Sequence, residues 1–270
     1  MNMTTSEIYG ESYQALKSNP LMLLPLALSF LAYFGLMLMA GFGMSNISSS
    51  TMSSDAMSGT APTVDTANLG MLTVVAVLGL IIEFAGYCWI QVMAAEVILE
   101  GGTSLGSSFS NMISRLPSFF VVALILSVVM VAVMVVGVVA LAPLGLIGVL
   151  LLLIVTLFMT LFMALAFPAV AMAGLGPIDA IVDSFRKVKS NLGRMVVFAI
   201  LTFVLAIGVG IVSGILAAFI PRVGMLLYLF ISVAFATLVL VALTRLYAEI
   251  AWKEYREYAA WQDRITGHLV

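Results

Sequence analysis

Residues 117–140, PSFFVVALILSVVMVAVMVVGVVA, and residues 144–171, LGLIGVLLLLIVTLFMTLFMALAFPAVA, hold no charged side chain and are parted only by a turn at Pro143. Each run exceeds the roughly 20 apolar residues that cross a hydrocarbon core, so the pair reads as a transmembrane hairpin. Working outward, comparable runs occupy about 21–43, 69–95, 195–220 and 223–246. The chain is 63% hydrophobic and 9% charged, against about 25% charged in soluble domains. These numbers predict an all-α integral membrane protein of six spans, built as a single polytopic domain over residues 1–270.

The same composition narrows function. A formal net charge of -2 with basic residues scattered along the chain gives no electrostatic footprint for nucleic acid. The single Cys88 falls inside an apolar run, and His268 is the only histidine, so neither a disulfide framework nor a metal cluster is expected. Residues 1–19 carry Glu7, Glu11 and Lys17 and lack the form of a cleavable signal, so the first span is expected to stay as an anchor.

Just after the opening hairpin comes Pro177–Arg194, PIDAIVDSFRKVKSNLGR, the most charged stretch of the chain. Ile178, Ile181, Val182, Phe185 and Val188 recur at helical spacing, with Asp179, Asp183, Arg186, Lys187 and Ser190 between them, which predicts an interfacial amphipathic helix with a solvated polar face. Two fainter copies precede it. Thr4 and Glu7 form a capping-box pattern opening one copy, and Gly101–Leu116 holds the other. Gapless shifts of 96 and then 76 residues superpose Tyr9, Leu105 and Ile181; Ser12, Ser108 and Ser184; Tyr13, Phe109 and Phe185; Leu16, Met112 and Val188; and Ser18, Ser114 and Ser190. Ala95-Glu96-Val97 is likewise echoed by Ala248-Glu249-Ile250. The expected plan is three repeats of interfacial helix plus membrane hairpin, at about 4–95, 101–171 and 176–250, ending in a charged aromatic helix at about 247–263.

Ten of the eleven basic residues, all but Arg222, then fall on one side. The excess of Lys and Arg on cytoplasmic ends predicts both termini inside, in the cell membrane, with the Ser/Thr-rich loop 45–68 outside. Asn46-Ile47-Ser48 is a glycosylation sequon in that loop.

The segments LKSNP at 16–20 and VKSNLG at 188–193, each leading from an amphipathic helix into a long span, resemble a broad group of six-span bacterial and archaeal membrane proteins. That group looks related to the membrane domain attached to some glycerophosphodiester phosphodiesterases. The resemblance implies the six-span fold over nearly the whole chain and carries no catalytic residue across.

Few side chains are candidates for chemistry. Glu83 lies near the middle of the second span, where an ionised carboxylate costs at least about 2.5 kcal/mol on insertion scales. It is read either as a proton or cation site or as a protonated carboxyl bonded to another span. Ala206, Gly210, Gly214 and Ala218 repeat every four residues and predict close helix packing, within the chain or against a second copy. Glu96 and Glu249 end their spans at the inner surface, with Arg245 and Lys253 one turn either side of Glu249, and are read as a solvated salt-bridge network or as a cytoplasmic gate; Arg186, Lys187 and Lys189 are expected as further solvated cytoplasmic charges. Gly102-Thr103-Ser104-Leu105-Gly106 spells a hydrolase pattern, but it opens a helix and has no histidine base. The expected protein is therefore a non-enzymatic, cofactor-free membrane module that organises the bilayer or docks a membrane or cytoplasmic partner through its interfacial helices. The alternative is a small-solute or ion permease using Glu83.

Overall fold

The computed structural model describes residues 3–36, 66–219 and 221–266, and every regular element among them is helical. In chain order these are α1 (Thr5–Ser18), a 3-10 turn at Pro20–Leu23, α2 (residues 24–36), α3 (Thr66–Glu100) and α4 (Leu105–Leu141). After a 3-10 turn at Ala142–Leu144 follow α5 (Leu146–Met163), α6 (Ala166–Ala173), α7 (Pro177–Ser190), α8 (Leu192–Phe219) and α9 (Pro221–Thr266). Asn46 and the Ser/Thr-rich segment as far as residue 65 lie outside the described residues, and residues 66–68, expected in that loop, open α3.

Five segments are long and apolar enough to cross a membrane: Thr73–Glu100, Leu105–Leu144, Leu146–Ala173, Leu192–Leu216 and Leu227–Lys253. A sixth is counted if the broken pair Thr5–Ser18 and Pro20–Leu36 forms one span. Their outward side chains are apolar, as with Val139, Leu146 and Phe203. Water would not tolerate such a surface and lipid requires it.

Three boundaries differ from the sequence reading. The second amphipathic piece is not a separate interfacial helix: α4 runs unbroken from Leu105 through Pro117 to Leu141, with Met112 before the proline and Phe119 and Val122 after it buried. The charged C-terminal helix is likewise continuous with the last span in α9. The fourth span is divided at Ala164–Leu165. Pro168 explains the break, since it cannot donate to the Ala164 carbonyl and its ring crowds that group.

The chain divides into two compact units, Leu24–Tyr87 and Met1–Leu23 with Cys88–Val270. In the first, α2 and the early part of α3 meet at Gly86, where a Cβ would strike Ser29 and come 3.3 Å from the Pro25 carbonyl. Ser29 Oγ donates to the Pro25 and Ile82 carbonyls at 2.8 and 3.2 Å. In the second unit the buried core includes Ile90, Met93, Phe119, Leu165, Met195, Leu246 and Ile250. The hairpin of α4 and α5 turns at Gly145, whose φ of 55° favours glycine. One turn later Gly148 lies so close to the Leu141 carbonyl that a side chain cannot fit between them.

Candidate functional site

The polar chemistry of the larger unit concentrates where the amphipathic segments meet the ends of the long helices. Thr4 caps α1 as the sequence predicts: its Oγ1 accepts from the Glu7 N–H at 3.3 Å, and the Glu7 carboxylate accepts from the Thr4 N–H at 2.6 Å. That reciprocal bond holds the exposed Glu7 carboxyl below its usual range. Ser12, Ser108 and Ser184 are all fully buried. Their hydroxyls donate to the carbonyls of Ile8 at 2.6 Å, Ser104 at 2.7 Å and Phe162 at 2.7 Å. The bonds let a hydroxyl be buried where helices come close.

The ends of α1 and α7 close with the same bonds. Ser18 and Ser190 each donate at 3.0 Å to the carbonyl three residues back, Ala15 or Lys187. Asn19 and Asn191 side chains donate to those same carbonyls at 3.2 and 3.0 Å. These bonds satisfy carbonyls orphaned at the helix end. Ser114 makes the equivalent bond to Asn111 at 2.8 Å. There α4 continues, and Arg115 reaches instead to the Ala171 carbonyl near the end of α6.

Each amphipathic segment is also tied to the end of a long helix. Trp89 of α3 donates to Ser108 at 2.9 Å, and its ring lies 4.9 Å from that of Phe109. Phe162 of α5 stacks on Phe185 of α7 at 4.6 Å. Tyr9 of α1 stacks on Phe198 of α8 at 5.3 Å and shares a hydrogen bond with Thr202. Burial raises the Tyr9 phenol above its ordinary value, partly offset by that bond.

The charges predicted to be solvated are largely enclosed. Glu96 is buried and accepts from Thr103 at 2.6 Å and Asn111 at 2.8 Å. Glu249 is also buried and accepts from the Met3 N–H at 3.4 Å. Arg245 pairs with Glu11 across α1 and α9, a long-range partner that spacing along one helix could not reveal. Lys187 is only 6% exposed. Its ammonium sits 2.6 Å from Asp183 and 5.1 Å from the centre of the Tyr247 ring, while the Tyr247 hydroxyl donates to the other Asp183 oxygen at 2.8 Å. Thus Asp183 and Lys187 face α9, whereas Arg186 and Lys189 remain exposed. Tyr247, at the start of the charged aromatic segment expected at 247–263, is buried.

The apolar positions split in the same way. Tyr9, Met112 and Val188 are buried, and Leu16, Leu105 and Ile181 are half-buried. Tyr13, Phe109 and Phe185 turn outward at 59%, 44% and 51% exposure. Each segment therefore buries its serine beside one large side chain and turns an aromatic ring outward.

Glu83 is half-buried in the smaller unit, where the Tyr87 hydroxyl, one turn on, donates to it at 3.3 Å. In the larger unit Thr202 and Thr237 donate to the Phe198 and Val233 carbonyls one turn back, and the buried Ser213 hydroxyl is without a partner among the described residues. Of the small-residue stripe, Ala206, Gly210 and Gly214 face outward, and a Cβ on either glycine would meet open space. Among the described residues nothing packs on these positions, which leaves the second-copy alternative open, and the Ala218 side chain lies outside the described residues. The glycines that do allow close approach are Gly79, Gly86, Gly137 and Gly148. The seven-residue spacing of Gly79 and Gly86 was the visible signal. The buried bond from Thr244 to Gln91 had none. Among the described residues no three His, Cys, Asp or Glu side chains converge as a metal site would require.

The DUF7847 family, a domain of unknown function, matches residues 3–253, and the chain belongs to it. No curated protein and no solved structure matches the chain.

Proposed function

We propose that this DUF7847 protein is a non-enzymatic integral membrane module made of three units, each an interfacial segment followed by a membrane hairpin. Both termini face the cytoplasm, and the module organises the bilayer or docks a membrane or cytoplasmic partner along its inner rim. Support for the repeat comes from the three buried serines, the matching Ser-Asn helix ends and the order of the ties. The inner end of α3 holds α4, α5 holds α7, and α8 and α9 hold α1.

The observation that carries the functional reading is the outward exposure of one aromatic ring on each segment, Tyr13, Phe109 and Phe185. Large amphipathic or apolar rings at the level where spans emerge are suited to the headgroup boundary. In vesicles of phosphatidylethanolamine and phosphatidylglycerol, the reconstituted protein is expected to change lipid order, read by the anisotropy of a headgroup-level probe. Replacing all three rings by serine should abolish that change while helix content is kept. An unchanged anisotropy effect in the triple variant rejects the reading.

The permease reading rests on Glu83 and its Tyr87 partner. Transport paths usually carry several polar residues at the midplane, and a single intramembrane carboxylate favours the module. Proteoliposome flux that is present in the native protein and lost in Glu83→Gln would reverse that preference.

A further inference from the structure

A groove of about 670 Å³ lies between α1 and α8, lined by Thr4, Thr5, Ser6, Arg194 and the apolar positions Val197, Ile200, Leu201 and Val204. Its size falls in the range of roughly 300–1,000 Å³ that holds small ligands. We infer that it binds one anionic glycerophospholipid, with the phosphate at Arg194 and the first turn of α1 and an acyl chain along α8.

The two ends of the groove differ in chemistry. Positions 197, 200, 201 and 204 fall at i, i+3, i+4 and i+7, so they form one continuous apolar face of α8. From Arg194 to Val204 the helix rises about 15 Å, half of a roughly 30 Å hydrocarbon core and so the depth of one leaflet. Gly193 adds no side chain to block the mouth, and a Cβ there would meet nothing. A free phosphate has no use for such a wall, whereas an acyl chain fills it.

The polar end is built for negative charge. Arg194 donates to the Met3 carbonyl, which leaves further guanidinium N–H groups, since arginine carries five. The first-turn N–H groups of Thr5 and Ser6 have no intrahelical acceptor, and the start of α1 is the positive end of its dipole. The Ser6 hydroxyl shares a hydrogen bond with Thr4 Oγ1 at 3.1 Å at the rim of the groove. Glu7 caps this same helix start through the Thr4 N–H, and Glu249 accepts from the Met3 N–H, but neither carboxylate lines the groove, so Arg194 is the charge that meets the phosphate. A choline head would set a cation against Arg194 and this helix end, so the site favours phosphatidylglycerol over phosphatidylcholine. The site does not depend on the outward aromatic rings and stands apart from the docking reading.

The full-length protein, purified in detergent and given an equimolar mixture of the two lipids, should retain phosphatidylglycerol preferentially by native mass spectrometry. Arg194→Gln should lower that retention about fivefold, the size of one lost basic contact at an anionic surface. Ile200→Trp, which fills the apolar wall and leaves Arg194 in place, should lower retention of phosphatidylglycerol as well, and it decides the matter if Arg194→Gln does not fold. Equal retention of both lipids, or retention unchanged in the folded variants, overturns the inference. So does inorganic phosphate that raises Tm as much as phosphatidylglycerol does, because the chain would then contribute nothing.

Discussion

The Lys187 ammonium is held by the Asp183 carboxylate at 2.6 Å and by the face of Tyr247 at 5.1 Å, in a place with little access to water. A charge so enclosed is tolerated only with its partners, and removing one partner of a buried pair costs about 3–5 kcal/mol. Asp183→Asn is therefore expected to destabilise the protein by about 3 kcal/mol, read as the midpoint of unfolding in mixed micelles of detergent and SDS. Asp183→Leu combined with Lys187→Met should recover most of the loss, because both charges of this pair are then replaced by apolar groups. A single variant within about 1 kcal/mol of the native protein would show that the pair is effectively solvated. Glu7 supplies a different test. Its carboxyl is held below its ordinary value by the Thr4 bonds, so its contribution is complete above the unfolded value near 4.5 and disappears as pH falls through the lower folded value. Hydrogen exchange of residues 3–18, corrected for intrinsic rate, should accelerate in that acid window. Glu7→Gln should remove the acid dependence.

At the scale of elements, glycines separate packing from exposure. A Cβ at Gly148 would overlap the Leu141 carbonyl, a backbone atom that cannot swing aside, whereas one at Gly210 meets nothing. Gly148→Ala is thus expected to destabilise the α4–α5 hairpin by about 1–3 kcal/mol through overpacking. Gly210→Ala should be neutral or stabilise by up to about 1 kcal/mol through helix propensity. The same detergent unfolding assay checks both, and a larger loss at Gly210 would mean that the stripe packs within the chain after all. The contrast also explains what was legible in the sequence. Long apolar runs and the Thr4–Glu7 cap are local patterns, and both appear as helices and a capping box. The stripe at 206–218 could not be assigned a partner, because spacing identifies a face without saying what covers it. Asp183 and Lys187 looked solvated for a related reason: helical periodicity divides polar from apolar residues, but only the neighbouring α9 turns part of the polar face inward. Pro117 and Pro168 show the converse. One proline is absorbed inside α4 and the other breaks a span, a difference set by packing around each carbonyl.

For the whole molecule, the three serines at 18, 114 and 190 give a direct test of sidedness, because all are exposed and each ends or follows an amphipathic segment. If the units share one orientation, cysteines at these positions react from the same side of the membrane. Ala142, exposed at the opposite end of the α4 hairpin, should react only from the other side. Cys88 is buried and provides a silent background for a membrane-impermeant maleimide in intact cells. Ala142→Cys is expected to label before the cells are opened, and Ser18→Cys, Ser114→Cys and Ser190→Cys only afterwards. That assignment follows from the excess of Lys and Arg around the three serines. Split labelling among them would rule out three parallel units, since a hairpin returns the chain to the side from which it entered. Uniform labelling with the sides exchanged would keep the repeat and reverse the orientation. The outward aromatic rings and the Arg194 groove would then face the outer leaflet, leaving lipid as their partner and excluding a cytoplasmic one.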